Sequence, residues 1–368
     1  MIDSPPNRAL GKLQLRLLAM FCALCVPHLA RADLACPAGQ AAPPDFQWGL
    51  VAYHVNFPGY ELQIDDLDRM AANGIRWIRI DFAWGRIEPT QGGTFDFSYF
   101  DTLVAAARAR GIHIAGTLGN GYNTRVRPVA PLWTHKLSGP RYVAALARYA
   151  DAVAERYADD VDVWALENEL HIGVLHVALQ WRHRVYPPAI NQEILRTLSQ
   201  AVDRRDPTAQ IVLTLSPSFP GWQRFVREST QRFRFDAIGL YTYPSFNAGA
   251  PPTGFEALVA GQIADAKDAA GAGRDVLIFE TGYQTPPDKP KTPEDEGALL
   301  RENQAIYIET MVRAAIDGGA TGVYFYQYLD NPDELIPREE VFGLMTPDRT
   351  PKPAWGRYGE VIAACGAP

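Results

Sequence analysis

Glu169 closes the apolar run VDVWALENE and Glu280 closes DVLIFETG, and 111 positions separate the two. A carboxylate at the end of a buried strand is available to a ligand, and two of them on different strands can face one another across a cleft. Cleavage of a glycosidic bond needs such a pair: one carboxyl gives a proton to the departing oxygen while the other attacks carbon or activates water. One short loop could not hold both groups at the required separation, so a scaffold must bring distant segments together.

That scaffold is legible as alternation. Eight short apolar runs begin near positions 46, 75, 112, 161, 210, 235, 275 and 322, and segments of helical periodicity lie between them, including IDDLDRMAANG, PRYVAALARYADAVAERY and AINQEILRTLSQAVDRRD. Weaker helical periodicity spans 222–231. Several helical segments end in glycine, a usual stop before the chain turns back. Runs that are apolar on both faces imply a parallel sheet covered by helices. Eight such units predict a single-domain α/β protein, a (β/α)8 TIM barrel. An open doubly wound sheet would carry a glycine-rich phosphate turn after its first strand, and FQWGLVAYH is not followed by one. The Pro-rich stretches at 244–254 and 286–295 follow strands, where a barrel keeps the loops that cover its site.

Composition narrows the partners. The chain has 368 residues with 47% apolar and 21% charged content, enough for a large core, and a net charge of −7. With no basic face to neutralise phosphates, nucleic acid is excluded as a partner. Arg8, Lys12 and Arg16 precede the apolar LLAMFCALCV, and Ala30-Arg31-Ala32 supplies a small-x-small cleavage pattern, so residues 1–32 read as a secretory signal peptide. The apolar stretch is shorter than the roughly 20 residues that span a bilayer, so no stable membrane insertion is expected after cleavage. Cleavage leaves residues 33–368 as the catalytic domain, with 31 basic and 41 acidic residues, a net −10, in a secreted or periplasmic setting. Cys36 and Cys365 are then the remaining cysteines. In an oxidising compartment, with first and last elements adjacent in a closed barrel, they are placed to form a disulfide; two free thiols are the alternative. Two sulfurs without a neighbouring histidine are too few for a metal, and none is expected.

The strand ends also carry a resemblance. Over nearly all of residues 33–368 the chain resembles the retaining (β/α)8 glycosidases of glycoside hydrolase clan A, with families 5 and 39 nearest in flavour. Asn168-Glu169 is similar to the Asn-Glu pair on their fourth strand, which implies Glu169 as general acid/base and Asn168 as the residue holding the sugar 2-hydroxyl. Glu280 corresponds to their seventh-strand nucleophile. Arg79, within IRWIRIDFAWGRIEP, falls where they keep an arginine near the nucleophile, and Tyr243 of Tyr241-Thr242-Tyr243 where a tyrosine bonds it. FGLMTPDRTPKPAW resembles the segment leading into their last helix. Three positions depart from the pattern: Tyr241 stands where histidine is common, Leu170 replaces a proline, and Tyr326-Gln327 replaces the eighth-strand tryptophan.

The resemblance implies double displacement on a β-linked oligo- or polysaccharide, with no cofactor. Arg79 and Tyr243 would lower the Glu280 pKa, and the Glu280 charge would raise that of Glu169. Trp84 and Trp133 are expected to stack on sugar rings, and Tyr241 and Tyr326 to line the subsite. His54, His113 and His171 could reach the cleft as hydrogen-bonding wall residues. Each residue also has a structural reading: Arg79 could pair with Asp81 inside the barrel, the tyrosines could be packing, and Glu167 could be a buried ion-pair partner or a rival acid. Two other functions fit less well. A polysaccharide-binding barrel without catalysis would have little use for the carboxylate pair, and a metal-dependent barrel would need an HxH motif that the first strand lacks.

Overall fold

A computed structural model describes residues 35–52, 61–119, 129–172, 187–245, 250–285, 294–331 and 340–366, with side chains described throughout except at 294–300. Residues 1–34, and with them the expected signal peptide, lie outside that set, as do His54 and residues 246–249 and 286–293 of the two Pro-rich loops.

The eight apolar runs form eight strands: β1 Gln47–Val51, β2 Trp77–Asp81, β3 His113–Leu118, β4 Val163–Leu166, β5 Gln210–Leu215, β6 Ala237–Tyr241, β7 Asp275–Thr281 and β8 Gly322–Phe325. Each pairs in parallel with the next, and β8 pairs with β1 to close the barrel. Helices α1 Ile64–Ala72, α2 Ser98–Arg108, α3 Gly139–Tyr157, α4 Pro188–Arg205, α5 Trp222–Thr230, α6 Glu256–Ala270, α7 Glu294–Gly318 and α8 Pro353–Cys365 follow the strands in turn. A one-turn helix, Trp84–Ile87, is added after β2. The alternation seen in sequence is therefore the (β/α)8 fold. The paired strands are shorter than the apolar runs because several runs continue past their last ladder bond into the loops that carry the site.

Period-two alternation divides each strand between two cores. Val51, Ala115, Val163, Ala165, Val212, Ala237, Leu277, Phe279 and Tyr324 pack inside the barrel. The intervening Ile78, Ile80, Ile114, Leu166, Ile211, Leu213, Ile238, Leu240 and Ile278 are fully buried as well, on the opposite strand face that the helices cover. Two glycines make room for large rings in the barrel. A Cβ on Gly49 would lie 2.3 Å from the Tyr324 ring, and one on Gly239 would lie 2.8 Å from Val212 and 3.0 Å from Phe279.

The end of the barrel where the strands begin is closed by a chain of hydrogen bonds. Tyr324 donates to Gln47 (2.7 Å), Gln47 to Gln210 (3.4 Å) and Gln210 to Asp275 (3.2 Å). At the same end a disulfide joins Cys36, ahead of β1, to Cys365, the last residue of α8, with Cα atoms 4.8 Å apart. The Ala42 amide donates to the Cys365 carbonyl at 2.8 Å, so the N-terminal strap is tied to the last helix by both kinds of bond.

Candidate active site

Arg79 organises the opposite end, where the strands finish. It projects inward from β2, between Val51 of β1 and Ala115 of β3 in register, and is 3% exposed. Its guanidinium donates to Glu280 Oε2 (2.6 Å), to Asn168 Oδ1 (3.1 Å) and to Thr117 Oγ1 (3.4 Å). The rings of Tyr241 and Phe279 lie 4.7 and 5.2 Å from its central carbon. A planar fork that hydrogen-bonds at its edges and meets aromatic rings is held in one orientation, a task for arginine rather than lysine. The expected Arg79–Glu280 pairing is thus present, and the same cation also reaches the β4 side of the mouth.

Glu280 gets there through an irregularity. Leu277 and Phe279 face the barrel interior, so strict alternation would turn Glu280 outward. Between β6 and β7 the register shifts: Leu240 is opposite Ile278, but Tyr241 is opposite Glu280. The extra residue is a bulge, which re-aims a side chain at the end of a strand. Glu280 then meets Arg79 with one oxygen, and its other oxygen accepts from Tyr243 Oη at 2.8 Å.

β4 reaches the mouth by a different device. Glu167 and Glu169 both have positive φ, 59° and 50°, where residues with a Cβ are seldom found. This left-handed backbone on either side of Asn168 brings three consecutive polar side chains to one end of the barrel. Asn168 bonds Arg79, and Glu169 is close enough to Glu280 for its charge to act on it. Thr214 of β5 supports the turn, donating to the Glu167 carbonyl (3.1 Å) and accepting from the Glu169 amide (3.4 Å). Glu167 is fully buried in the wall.

The electrostatics differ from the expectation in one respect. Burial pushes the Glu280 carboxyl above the usual range, and the negative charge of Glu169 pushes the same way. Arg79 and Tyr243 oppose both, as expected, but the net direction is upward because removal from water outweighs them.

The aromatic residues divide. Trp84 is 2% exposed, stacked on Tyr149 at 5.0 Å with its indole N–H on Glu88 (2.9 Å), so it packs inside the wall and does not offer a face to a sugar. Tyr241, 1% exposed beneath Arg79, is also an interior residue. Trp133 is half-buried, with its N–H on the Glu88 carbonyl (3.2 Å) and its ring edge-on to Trp84. Tyr326 is 9% exposed on the interior face of the β8 extension. His113 begins β3 and pairs with Asp162 at the far end of the barrel, and His171 bonds the Ser216 carbonyl (3.1 Å). Among the described residues no group of three or more metal-ligating side chains occurs, and no helix is long and apolar enough to cross a membrane.

Comparison with known proteins bears on this arrangement. Residues 59–133 match the β-galactosidase family numbered 42 among the glycoside hydrolases. An exo-β-1,4-mannosidase from Opitutaceae bacterium strain TAV5 superposes with a TM-score of 0.66 and 20% identity, over 91% of this chain and 61% of that one. The fold shared is the closed eight-stranded (β/α)8 barrel. This chain therefore spans about 61% of the length of that mannosidase. A GH5_18 protein from Streptomyces cattleya, solved with GlcNAc, gives 0.67 and 20% over 88% and 80% of the two chains. A family 39 glycoside hydrolase from Bacteroides cellulosilyticus WH2 gives 0.61 and 18% over 89% and 64%. The barrel read from the alternation of runs is thus shared with glycoside hydrolases of families 5 and 39. No curated protein sequence matches significantly.

Phe342 was not singled out in the sequence. It lies in FGLMTPDRTPKPAW, far from either glutamate, yet its ring sits 5.7 Å from that of Tyr243 and 5.6 Å from that of Tyr326. A lone phenylalanine in a loop carries no periodic signal that could have marked it.

Proposed function

We propose that this protein is an exported retaining glycoside hydrolase that cleaves a β-linked oligo- or polysaccharide by double displacement. Glu280 attacks the anomeric carbon while Glu169 protonates the departing oxygen. Glu169 then takes a proton from the water that releases the sugar, so the acid of the first step is the base of the second. Asn168 holds the 2-hydroxyl, and Arg79 and Tyr243 keep Glu280 ionised and oriented. No cofactor takes part.

The observation that carries this reading is the double attachment of Glu280, one oxygen on Arg79 and the other on Tyr243, with Glu169, beyond the end of β4, near enough for its charge to act on it. A carboxylate fixed at both oxygens in a partly closed cleft is oriented for attack, and its neighbour is a second carboxyl of different environment. Partial removal from water pushes Glu280, whose side chain keeps 16% exposure, toward its neutral form, so Arg79 and Tyr243 are needed if it is to act as an anion. Export draws on the basic-apolar-AxA sequence of residues 1–32 and on the Cys36–Cys365 bond.

Azide distinguishes the two roles. With an activated aryl β-glycoside, Glu280→Ala should be rescued by azide to give the α-glycosyl azide, and Glu169→Ala should be rescued to give the β-glycosyl azide. Full turnover by Glu280→Ala without azide, or an inverted first product by proton NMR, would refute the mechanism.

A further inference from the structure

We propose that Phe342 is a positioning residue for the nucleophile: its ring, wedged between Tyr243 and the backbone that follows Glu280, holds the Tyr243 hydroxyl against the carboxylate. This rests on the reading of Glu280 as nucleophile.

The wedge is read from contacts on both sides. On the β6 side, the Tyr243 ring meets Phe342 edge-on at 5.7 Å, and the same tyrosine gives its hydroxyl hydrogen to Glu280 at 2.8 Å. On the β7 side, Gly282 stands two residues after Glu280, and a Cβ there would lie 2.8 Å from Phe342 Cδ1 and 2.3 Å from the Tyr326 carbonyl oxygen. The ring therefore touches the element that carries the donor and the element that carries the acceptor. It is 1% exposed and belongs to the interior cluster with Tyr241, Phe279 and Tyr326.

Its backbone is fixed more closely than a loop requires. The segment returns alongside the extension of β8: the Gln327 amide donates to the Phe342 carbonyl (3.3 Å), Leu344 to Gln327 (2.9 Å) and Met345 to Tyr328 (3.0 Å). Gln304 of α7, 1% exposed, donates to the carbonyls of Tyr283, Phe342 and Gly343 at 3.0, 3.1 and 3.1 Å. Asp330 accepts from the Gly343 amide (2.8 Å) and pairs with the buried Lys352 (2.7 Å), which also donates to Thr285 (2.8 Å). Gly343 itself has no space for a side chain, since a Cβ would fall 2.1 Å from the Asp330 nitrogen. A ring mounted on so constrained a backbone cannot drift, so neither can the tyrosine it abuts. Tyr243 itself is only partly buried.

The test follows the Glu280 carboxyl directly, by carbon NMR titration of protein labelled at the glutamate δ-carbon, with the resonance assigned by its loss in Glu280→Gln. Among the described residues, the charged and titratable groups that act on Glu280 and Arg79 include Asp81 from β2, Glu169 from the end of β4, and Tyr241 and Tyr243 from β6 and the residues after it, and none is altered by changing Phe342. Loosening a hydrogen bond to the ionised form raises a carboxyl's pKa, so Phe342→Ala should move the Glu280 titration upward by about 0.5 pH unit, and the acid limb of kcat/KM with it. Phe342→Leu keeps most of the apolar volume and so folds; it should give a smaller shift of the same sign. In a Tyr243→Phe background, where the hydroxyl is already gone, Phe342→Ala should add nothing. An unmoved titration in both single variants, or a full additional shift on top of Tyr243→Phe, would overturn the proposal and leave Phe342 as packing. The titration requires no turnover, so inactivity of the wild-type protein would refute the glycosidase reading and leave this result standing.

Discussion

The two ends of the barrel are built from the same strands and hold their polar groups in opposite ways. Where the strands begin, Tyr324, Gln47, Gln210 and Asp275 form a chain in which each donor has its acceptor, and Trp77 stacks on His113 at 4.6 Å beside Asp162. Where the strands finish, Asp81, Glu167, Glu169 and Glu280 gather around Tyr149, Tyr241 and the buried Arg79. Two of the three non-glycine residues with positive φ among the described residues, Glu167 and Glu169, are at this end. Burying like charges and holding left-handed backbone both cost stability, and such features persist where function needs them. The beginning of the barrel is organised for stability, and the mouth holds the groups of the proposed chemistry, the division expected of this architecture.

Substitutions at the two ends should therefore fail differently. The largest effect is expected for Glu280→Gln and Glu169→Gln, each lowering kcat on natural substrate by about a thousandfold, or about 4 kcal/mol of transition-state stabilisation; steady-state kinetics beside thermal melts would show activity falling far more than stability. Arg79→Met comes next. Removing one member of a buried pair leaves the other charge uncompensated, so a loss of about 3–5 kcal/mol in denaturant unfolding is expected, with the Glu280 titration moved further up. At the other end, the Cys36→Ser and Cys365→Ser double variant should lose about 2–5 kcal/mol while its kcat/KM at 25 °C stays near wild type. A parallel fall in activity would mean that the two ends are not separable.

The smallest effect belongs to His113. Its hydrogen bond with Asp162 raises the imidazole pKa against the opposing pull of burial. A folded pKa above the unfolded value means that the stabilisation is fully present below about pH 6.5 and is lost as pH rises through the folded pKa. Both side chains are substantially exposed, so solvent screening keeps the effect below about 1 kcal/mol. His113→Gln should remove that part of the pH dependence of stability and leave the pH–activity profile where it was.

The eight strands were readable because burial on both faces writes a run of apolar residues, and Glu169 and Glu280 were readable because each stands where such a run gives way to a loop. The bulge that turns Glu280 inward and the left-handed backbone at Glu167 and Glu169 were not, since neither carries the glycine that usually announces such geometry. Trp84 was misread for a related reason: a tryptophan near a strand end has the same local sequence whether it faces a ligand or, as here, stacks on Tyr149. The upward push on the Glu280 carboxyl depends on how far the mouth is removed from water, which is a sum over many strands and absent from any one segment. Phe342 reaches the site only because α7, the β7 loop and the β8 extension together fix its backbone.

In the proposed mechanism Glu280 becomes covalently bonded to the sugar. Incubation with activated 2-deoxy-2-fluoro β-glycosides, followed by proteolysis and mass spectrometry, tests it most directly. One fluoroglycosyl group per protein is expected, on Glu280, with inactivation at the rate of labelling. Labelling of another residue, or steady turnover of a cleaved fluoroglycoside without any covalent adduct, would contradict it.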